Sequence, residues 1–155
     1  MQLSPSGPIK VLVIHGPNLN LLGTREPDVY GSVTFYELNE LIVQEGKRIG
    51  CEVRIEQSNH EGVLIDQIHD ARDWADAIVI NAGAYTHTSI AIADALRAVR
   101  LPTIEVHLSN VHSRETYRHV SYLASAVTGQ ISGFGPHSYL LAISAAKRLV
   151  DEGRF

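Results

Sequence analysis

The feature that most constrains this chain is a repeating order of short apolar strands and longer amphipathic helices. The first strand, Ile9 to Ile14, is short, rich in β-branched residues and without polar alternation, which is typical of strands buried on both faces. Four more strands are predicted, at 51–57, 77–80, 103–107 and 129–132. Strands that are joined through helices pair in parallel with right-handed crossovers. The order therefore predicts a parallel sheet with helices on both faces.

The intervening helices carry their own boundary signals. Thr34-Phe35-Tyr36-Glu37 fits a capping box and predicts a helix that runs to about Ile49 and stops at Gly50. Three further helices are predicted, at 61–73, 89–100 and 136–152. We expect a flavodoxin-like doubly wound five-stranded parallel sheet, a three-layer α/β/α fold. We also expect an N-terminal extension over residues 1–8 and a single catalytic α/β domain over residues 9–152.

Composition limits where the chain works and what it binds. The chain has 155 residues, 45% of them hydrophobic, which suits one buried core. Its one cysteine, Cys51, excludes an internal disulfide and favours a reducing compartment, and Met1 to Pro8 lacks the features of a signal peptide. No stretch is apolar enough to cross a bilayer, and a formal net charge of −4 argues against general nucleic-acid binding. We expect a cytoplasmic protein without nucleic-acid or membrane partners.

Polar residues gather directly after the predicted strands. His15-Gly16-Pro17-Asn18 follows the first strand, and residues 81–88 (NAGAYTHT) follow the third. The fourth strand carries Glu105 and His107 and leads into Leu108-Ser109-Asn110. In open parallel sheets, ligands bind beyond the carboxyl ends of the strands. The sequence therefore predicts a functional site at this edge of the sheet.

Several familiar chemistries lack their motifs. The chain has no G-x-x-x-x-G-K-[ST], no G-x-G-x-x-G after the first strand and no G-x-S-x-G elbow. Its lysines, Lys10, Lys47 and Lys147, fall at a strand start and on helices, so a Schiff base lacks a nucleophile at the site. Metal ligation could involve some of four histidines: His15, His87, His107 and His112. No tight H-x-H or H-E-x-x-H spacing supports that alternative.

Four blocks of the sequence resemble the type II 3-dehydroquinate dehydratases. They are HGPNLNLLGTREPDVYG at residues 15–31, QSNHEG at 57–62, NAGAYTHTS at 81–89 and IEVHLSNVH at 104–112, the last continuing through residues 114–118. The likeness runs from about Val11 to Ala146. The chain departs from the family pattern at Tyr117, where phenylalanine is more frequent, and this puts no catalytic position in doubt.

The resemblance implies a lyase that removes water from 3-dehydroquinate to give 3-dehydroshikimate in the shikimate pathway, or in quinate catabolism. It also implies an enzyme that uses no metal, no organic cofactor and no covalent imine. Family members form dodecamers of four trimers, so the resemblance further implies a homo-oligomer. In that assembly Asp94 would reach a neighbouring subunit's site. The alternative for Asp94 is an exposed helix acid that pairs with Arg97.

Elimination from a β-hydroxy ketone needs a base, a group that stabilises the enolate and an acid for the departing hydroxide. By the resemblance, Tyr30 is the base. A free tyrosine has a pKa of about 10, and the cations Arg25 and Arg118 would favour its phenolate. We further expect the loop from Leu19 to Tyr30 to act as a lid that brings Arg25 and Tyr30 over the substrate.

The resemblance assigns the other two catalytic tasks to the strand ends. Asn18 would hold a water that donates to the enolate oxygen. His107 would be the general acid, tuned by Glu105, because residues i and i+2 of a strand face the same side. A glutamate inside a buried strand also needs a partner on physical grounds alone.

The remaining predicted contacts bind the substrate. The resemblance implies that Asn81, Gly83 and His87 hold the ring with its hydroxyls, that Leu108 and Ser109 donate to its carboxylate, and that Arg118 binds a hydroxyl. Two other classes of function are open at this stage: a flavodoxin-like protein that binds a nucleotide or flavin, and a catalytically inactive regulatory homologue. The other histidines, His15 among them, are predicted to be structural or at the surface.

Overall fold

A five-stranded parallel sheet forms the centre of the structure, a computed structural model that describes residues 7–24 and 26–153 but not the side chain of Tyr30. The strands lie in the order β2-β1-β3-β4-β5 and all pair in parallel. They run over Ile9–His15 (β1), Cys51–Gln57 (β2), Ala77–Asn81 (β3), Thr103–His107 (β4) and Gly129–Ser132 (β5). This arrangement confirms the predicted doubly wound parallel sheet.

Five α-helices are found within the described residues: Pro27–Tyr30 (α1), Phe35–Ile49 (α2), Glu61–Ala71 (α3), Ile90–Val99 (α4) and His137–Glu152 (α5). The four longer helices confirm the predicted ones, with ends that differ by one or two residues. The short helix α1 was not predicted. It lies in the polar stretch between β1 and α2, where Pro27 occupies the first helical position and Gly31 ends the turn.

Helices cover both faces of the sheet, which gives three layers. Val11 and Val13 of β1 point to one face and pack with α2 and α5. Leu12 and Ile14 point to the opposite face and pack with α3 and α4. Successive residues of a strand alternate between faces, so a strand that is apolar throughout must be covered on both. This explains why the first strand lacks polar alternation.

The boundaries of α2 follow the predicted signals. The hydroxyl of Thr34 accepts a hydrogen bond from the Glu37 N–H at 3.1 Å, and the Glu37 carboxylate accepts one from the Thr34 N–H at 3.1 Å. This is the capping box that the sequence predicted, and such a cap stabilises a helix by about 1 kcal/mol. Gly50 ends the helix in the left-handed conformation with φ of 85°.

The carboxyl ends of β1 and β3 approach each other closely. The Gly16 N–H donates to the Asn81 carbonyl at 2.7 Å. A Cβ at Gly16 would overlap the backbone of Ala82, so only glycine allows the two loops to cross here. The crossing brings the segment after β1 against the segment after β3, at the point where the strand order reverses.

Two expectations concern the ends of the chain and its membrane status. Most of the predicted N-terminal extension, residues 1–6, lies outside the described residues. Among the helices that the structure describes, none combines the length and the apolar character that a membrane crossing needs.

Candidate active site

A cleft of about 670 Å³, open to solvent, lies at the carboxyl ends of β1, β3 and β4. Most of the predicted site residues line it: Asn18, Asn81, Gly83, His87, His107, Leu108, Ser109 and Arg118. The sheet topology explains this grouping, because the ends of neighbouring parallel strands meet at one edge. Residues that are far apart in the sequence therefore share one concave surface.

The buried pair of Glu105 and His107 lies at the end of β4. The Nε2 atom of His107 is 2.7 Å from Oε2 of Glu105. Glu105 also accepts hydrogen bonds from the Ser121 hydroxyl at 2.7 Å and from the Gln130 amide at 3.2 Å. Glu105 is 1% exposed and His107 is 8% exposed. The carboxylate thus has three partners, which is how a buried charge becomes tolerable.

The hydrogen bonds decide the charge state of Glu105. Burial acts to raise the pKa of Glu105, but the hydrogen bonds from His107 and Ser121, with a smaller one from Gln130, outweigh it and hold the pKa below its usual range. Glu105 is therefore an anion at neutral pH. A carboxylate partner fixes the tautomer and the orientation of a histidine ring and stabilises its imidazolium form.

His87 sits beside this pair with a different partner. Its Nδ1 lies 2.8 Å from the Val120 carbonyl, to which it donates, and its ring stacks near that of His107 with centroids 6.5 Å apart. Burial lowers the pKa of His87 and outweighs the hydrogen bond to the Val120 carbonyl, which acts to raise it; the nearby His107 and Arg118 act in the same direction as burial. Neutral His87 therefore presents its Nε2 lone pair as a hydrogen-bond acceptor.

Asn18 follows β1 in a left-handed backbone conformation with φ of 69°. Asparagine adopts this conformation more readily than most residues. Its backbone N–H donates to the Asn59 side chain at 3.0 Å, and its carbonyl accepts from Leu21 at 3.0 Å. The tight turn leaves the Asn18 side chain exposed in the cleft.

The Asn81 side chain is 5% exposed, and both ends of its amide are hydrogen-bonded. Its Oδ1 accepts from the Gly83 N–H at 3.1 Å, and its Nδ2 donates to the Tyr139 hydroxyl at 2.9 Å. Tyr139 belongs to α5 and is fully buried. The orientation of Asn81 is therefore set by the Gly83 backbone at the cleft and by the Tyr139 hydroxyl, which lies outside it.

Positive charge is gathered at one side of the cleft by Arg114 and Arg118. Glu115 pairs with both, at 3.7 Å from Nε of Arg114 and at 2.8 Å from Nε of Arg118. The side chains of Arg114 and Arg118 are 12% and 18% exposed. In a chain whose net charge is −4, these two guanidinium groups supply the local positive field that an anionic substrate needs.

Sequence reasoning missed several residues that the structure brings to the site. They are Pro17, Leu19, Leu22, Ala84, Val111 and Arg114 in the cleft lining, and Ser121 and Gln130 as partners of Glu105. Arg114 could have been found, because it lies in the polar segment that follows β4 and carries Arg118. Ser121 and Gln130 had no such signal, because they lie 16 and 25 residues beyond Glu105.

A second cavity of about 560 Å³ adjoins the cleft and is lined in part by Glu105, His107, Ser121 and Gln130. The buried Thr86 hydroxyl also lines it and has no hydrogen-bond partner within the described residues. Polar walls and an unsatisfied hydroxyl are the setting in which buried water is found. This cavity is therefore suited to hold water next to Glu105.

Three predicted site residues are not among those that the structure brings together: two lie outside the described part of the chain, and the third lies away from the cleft. Arg25 and the side chain of Tyr30 lie outside the described residues, so the lid predicted for residues 19–30 stays a prediction. Asp94 lies on α4 and is exposed, and its Oδ1 is 3.4 Å from Nη1 of Arg97. It does not line the cleft of its own chain.

The metal alternative concerned four histidines, and the structure gives them different surroundings. His15 is buried between Tyr139 and Asn39, whereas His87 and His107 line the cleft. Across residues 7–24 and 26–153, no three His, Cys, Asp or Glu side chains come together as a group that could hold a metal ion.

Comparison with known proteins agrees with this architecture. Residues 9–147 match the family model described as dehydroquinase class II. The chain is 58% identical over 135 residues to a 3-dehydroquinate dehydratase of Trichodesmium erythraeum, which covers 87% of this chain and 90% of the relative. A solved type II dehydroquinase from Butyrivibrio crossotus superposes with a TM-score of 0.88 at 48% identity, covering 90% of this chain and 97% of that one. The chain belongs to the class II dehydroquinase family.

Proposed function

We propose that this protein dehydrates 3-dehydroquinate to 3-dehydroshikimate, as a lyase that works through an enolate and without a metal or a Schiff base. The observation that carries the proposal is the buried Glu105–His107 pair at the wall of a cleft that also holds Arg114 and Arg118. The pair can supply a proton to a departing hydroxide, and the guanidinium groups can attract the substrate carboxylate. Family membership identifies the substrate.

His107 is the general acid of this proposal. Its Nε2 is occupied by Glu105, so Nδ1 is the ring atom that can deliver a proton to the leaving hydroxyl. Loss of that proton leaves a neutral imidazole whose remaining N–H still donates to the carboxylate. Glu105 therefore keeps Nε2 protonated and the ring in one orientation before and after the transfer.

The base and the enolate stabiliser both come from the stretch between β1 and α2. Tyr30, as phenolate, removes the proton next to the ketone, and the positive charges of Arg25 and Arg118 lower the cost of forming that phenolate. Asn18, exposed in the cleft, holds a water that donates to the enolate oxygen. Electrostatic stabilisation of a developing oxyanion is often the largest single contribution to such a reaction.

The substrate ring is held by residues that follow β3 and β4. Asn81, Gly83 and His87 meet the ring and its hydroxyls, with His87 accepting through Nε2. Leu108 and Ser109, directly after β4, donate to the substrate carboxylate, and Arg118 binds a hydroxyl. The Gly135 N–H donates to the Leu108 carbonyl at 2.9 Å, which supports a fixed backbone at this point.

We also propose a cytoplasmic homododecamer of four trimers in which Asp94 completes a neighbouring subunit's site, with residues 9–152 as one catalytic domain. Support for the role of Asp94 is that it is exposed on α4 and lies away from its own cleft. Sedimentation of the purified protein tests the assembly. A stable monomer with full activity would exclude this role for Asp94.

The experiment that tests the function is to mix the purified protein with 3-dehydroquinate and follow the ultraviolet absorbance of the conjugated enone product, with a chelator present. A rising signal is the expected result. Absence of a signal from folded, oligomeric protein would contradict the proposal.

Tyr30→Phe tests the base directly. We expect kcat to fall by about a thousandfold, within the range that general acid–base groups contribute, because the substitution removes the phenolic hydroxyl, the proposed proton-transfer group, and keeps the ring. Binding of a competitive inhibitor should change by less than about tenfold. The matched control is Tyr36→Phe, since Tyr36 is 72% exposed on α2 and does not line the cleft. A substantial residual rate in Tyr30→Phe would show that another group is the base.

A further inference from the structure

A chain of hydrogen bonds links helix α2 to the cleft through buried side chains. His15 Nε2 lies 2.9 Å from Asn39 Oδ1, and His15 Nδ1 lies 3.0 Å from the Tyr139 hydroxyl. The Asn81 Nδ2 donates to that same hydroxyl at 2.9 Å, and the Asn81 Oδ1 accepts from the Gly83 N–H at 3.1 Å. The far end of the chain is on α2, and the near end lies in the cleft.

The directions of the hydrogen bonds in this chain follow from its two ends, the Gly83 N–H and the Asn39 side-chain oxygen. A backbone N–H can only donate, so the side-chain atom of Asn81 that meets Gly83 must be the oxygen, and Nδ2 must face Tyr139. At the other end, the Asn39 atom that faces His15 is the side-chain oxygen, so His15 carries its proton on Nε2 and donates it there. The neutral ring then accepts at Nδ1, so the Tyr139 hydroxyl accepts from Asn81 Nδ2 and donates its single proton to His15.

The surroundings keep this chain intact. His15 and Tyr139 are both 0% exposed. Burial lowers the pKa of His15 to about 4, so the ring is neutral at neutral pH and has one donor and one acceptor. Each buried polar group in the chain has a partner, and the loss of one would leave its neighbour unsatisfied at a cost larger than that of an ordinary surface hydrogen bond.

We propose that Tyr139 and His15 are positioning residues that fix the Asn81 carboxamide, so that its second N–H and its remaining oxygen lone pair face the cleft. One donor next to one acceptor fits a hydroxyl group, which both accepts and donates. The inference deepens the proposed function, since it assigns the orientation of a residue that binds the substrate ring. Tyr139 and His15 do not line the cleft themselves.

Tyr139→Phe removes the hydroxyl and keeps the ring that fills the core. Because Asn81 holds the substrate in both the ground state and the transition state, we expect the KM for 3-dehydroquinate to rise about tenfold, the equivalent of one hydrogen bond, with kcat within about threefold. The matched control is Thr103→Val. Thr103 is 1% exposed at the opposite edge of the sheet and donates to the Leu101 carbonyl at 3.0 Å, so it tests the loss of a buried hydrogen bond away from the cleft.

A double-mutant cycle separates positioning from general destabilisation. In an Asn81→Ala background, Tyr139→Phe should raise KM no further, because there is no amide left to orient. The inference is overturned if Tyr139→Phe leaves KM unchanged, or if it raises KM by the same factor with and without Asn81. An inactive wild-type protein would instead overturn the proposed function.

A measurement on the unmutated protein remains decisive if Tyr139→Phe does not fold. The ¹⁵N chemical shifts of the His15 ring report which nitrogen carries the proton. A neutral ring protonated on Nε2 at pH 7 is expected. A ring protonated on Nδ1, or on both nitrogens, would reverse the direction of the chain and overturn the inference.

Discussion

Two buried histidines end strands at the same edge of the sheet, and their partners give them opposite properties. His15 ends β1 between neutral groups, the amide of Asn39 and the hydroxyl of Tyr139. His107 ends β4 against the carboxylate of Glu105. Burial among neutral groups keeps the first ring neutral, whereas the second ring is hydrogen-bonded to a carboxylate, which fixes its tautomer and orientation. Both histidines lie at a strand end, so this position does not explain the difference between them. The charge of the partner does: His15 has neutral partners and holds other groups in place, whereas His107 has a carboxylate partner and can transfer a proton.

The partners differ because their supporting segments differ. The His15 environment is assembled by helices α2 and α5, which pack together on one face of the sheet. The Glu105 environment includes Ser121, from the segment between β4 and β5, and Gln130 on β5 itself. The first set excludes charge, and the second set provides hydrogen-bond donors that keep a carboxylate ionised in a buried place.

Replacing each of the two histidines with glutamine should give the largest difference in kcat. We expect His107→Gln to lower kcat by about a thousandfold, because glutamine cannot donate a proton as an acid does. His15→Gln should lower kcat by less than about tenfold, because its amide keeps one hydrogen-bonding group near the former Nε2. Steady-state kinetics with 3-dehydroquinate measures both variants.

Circular dichroism and thermal unfolding of the two variants are the controls for folding. A similar loss of kcat in folded His15→Gln would mean that the hydrogen bonds joining His15, Tyr139 and Asn81 take part in proton transfer. Retention of kcat in His107→Gln would mean that another group is the acid.

The unfolding free energy should depend on pH because of the buried, neutral His15. Burial lowers the pKa of His15 from 6.5 to about 4, so between these values the unfolded chain binds a proton that the folded chain does not. Stability therefore falls as the pH falls through this window. His15 alone should remove about 2.5 kcal/mol of unfolding free energy between pH 7 and pH 4.5.

Urea unfolding of the wild type and His15→Gln at both pH values measures this contribution, at one protein concentration because assembly affects apparent stability. The pKa values of His87 and Glu105 are also lowered, but both groups are present in both proteins. The difference between the two proteins in the loss of unfolding free energy from pH 7 to pH 4.5 is therefore due to His15. An equal loss of unfolding free energy in both proteins would show that His15 is not the group responsible.

Local signals explain how much of the fold was predicted from the sequence. The Thr34–Glu37 capping box and the Gly50 stop are interactions between near neighbours, so they are readable in order along the chain. Apolar strands without alternation indicated a sheet covered on both faces. Helix α1 escaped prediction because four residues are too few to show a helical period.

In the site as well, hydrogen bonds between near neighbours in the sequence were predicted and long-range hydrogen bonds were not. Glu105 and His107 were paired in advance, because residues two apart on a strand share a face. The partners of Glu105 are long-range, and nothing in the pattern near Ser121 or Gln130 points to a carboxylate. His15 was expected to be structural or at the surface. Its link to Asn81 runs through Tyr139, which lies 124 residues from His15 and 58 residues from Asn81 in the sequence, so only the packed fold shows it.

The smallest expected effect concerns the support of Glu105. Ser121→Ala removes the donor that lies 2.7 Å from Oε1 of Glu105. One hydrogen bond to a buried carboxylate is worth about 1 kcal/mol here, so we expect kcat to fall about fivefold with KM little changed. The matched control is Ser89→Ala, whose hydroxyl accepts from the Ile92 N–H at 2.9 Å and caps α4. That variant should lose stability and keep kcat.

A parallel fall of kcat in both serine variants would mean that general loosening, and not the ionised state of Glu105, sets the rate. A fall confined to Ser121→Ala, largest at the acidic end of the pH profile, has a specific physical meaning. With one donor lost, the balance between burial and hydrogen bonding at Glu105 shifts towards the protonated acid, and its pKa rises. A protonated Glu105 no longer stabilises the imidazolium of His107. The surroundings of His107 would then resemble those of His15, because each histidine would have only neutral partners.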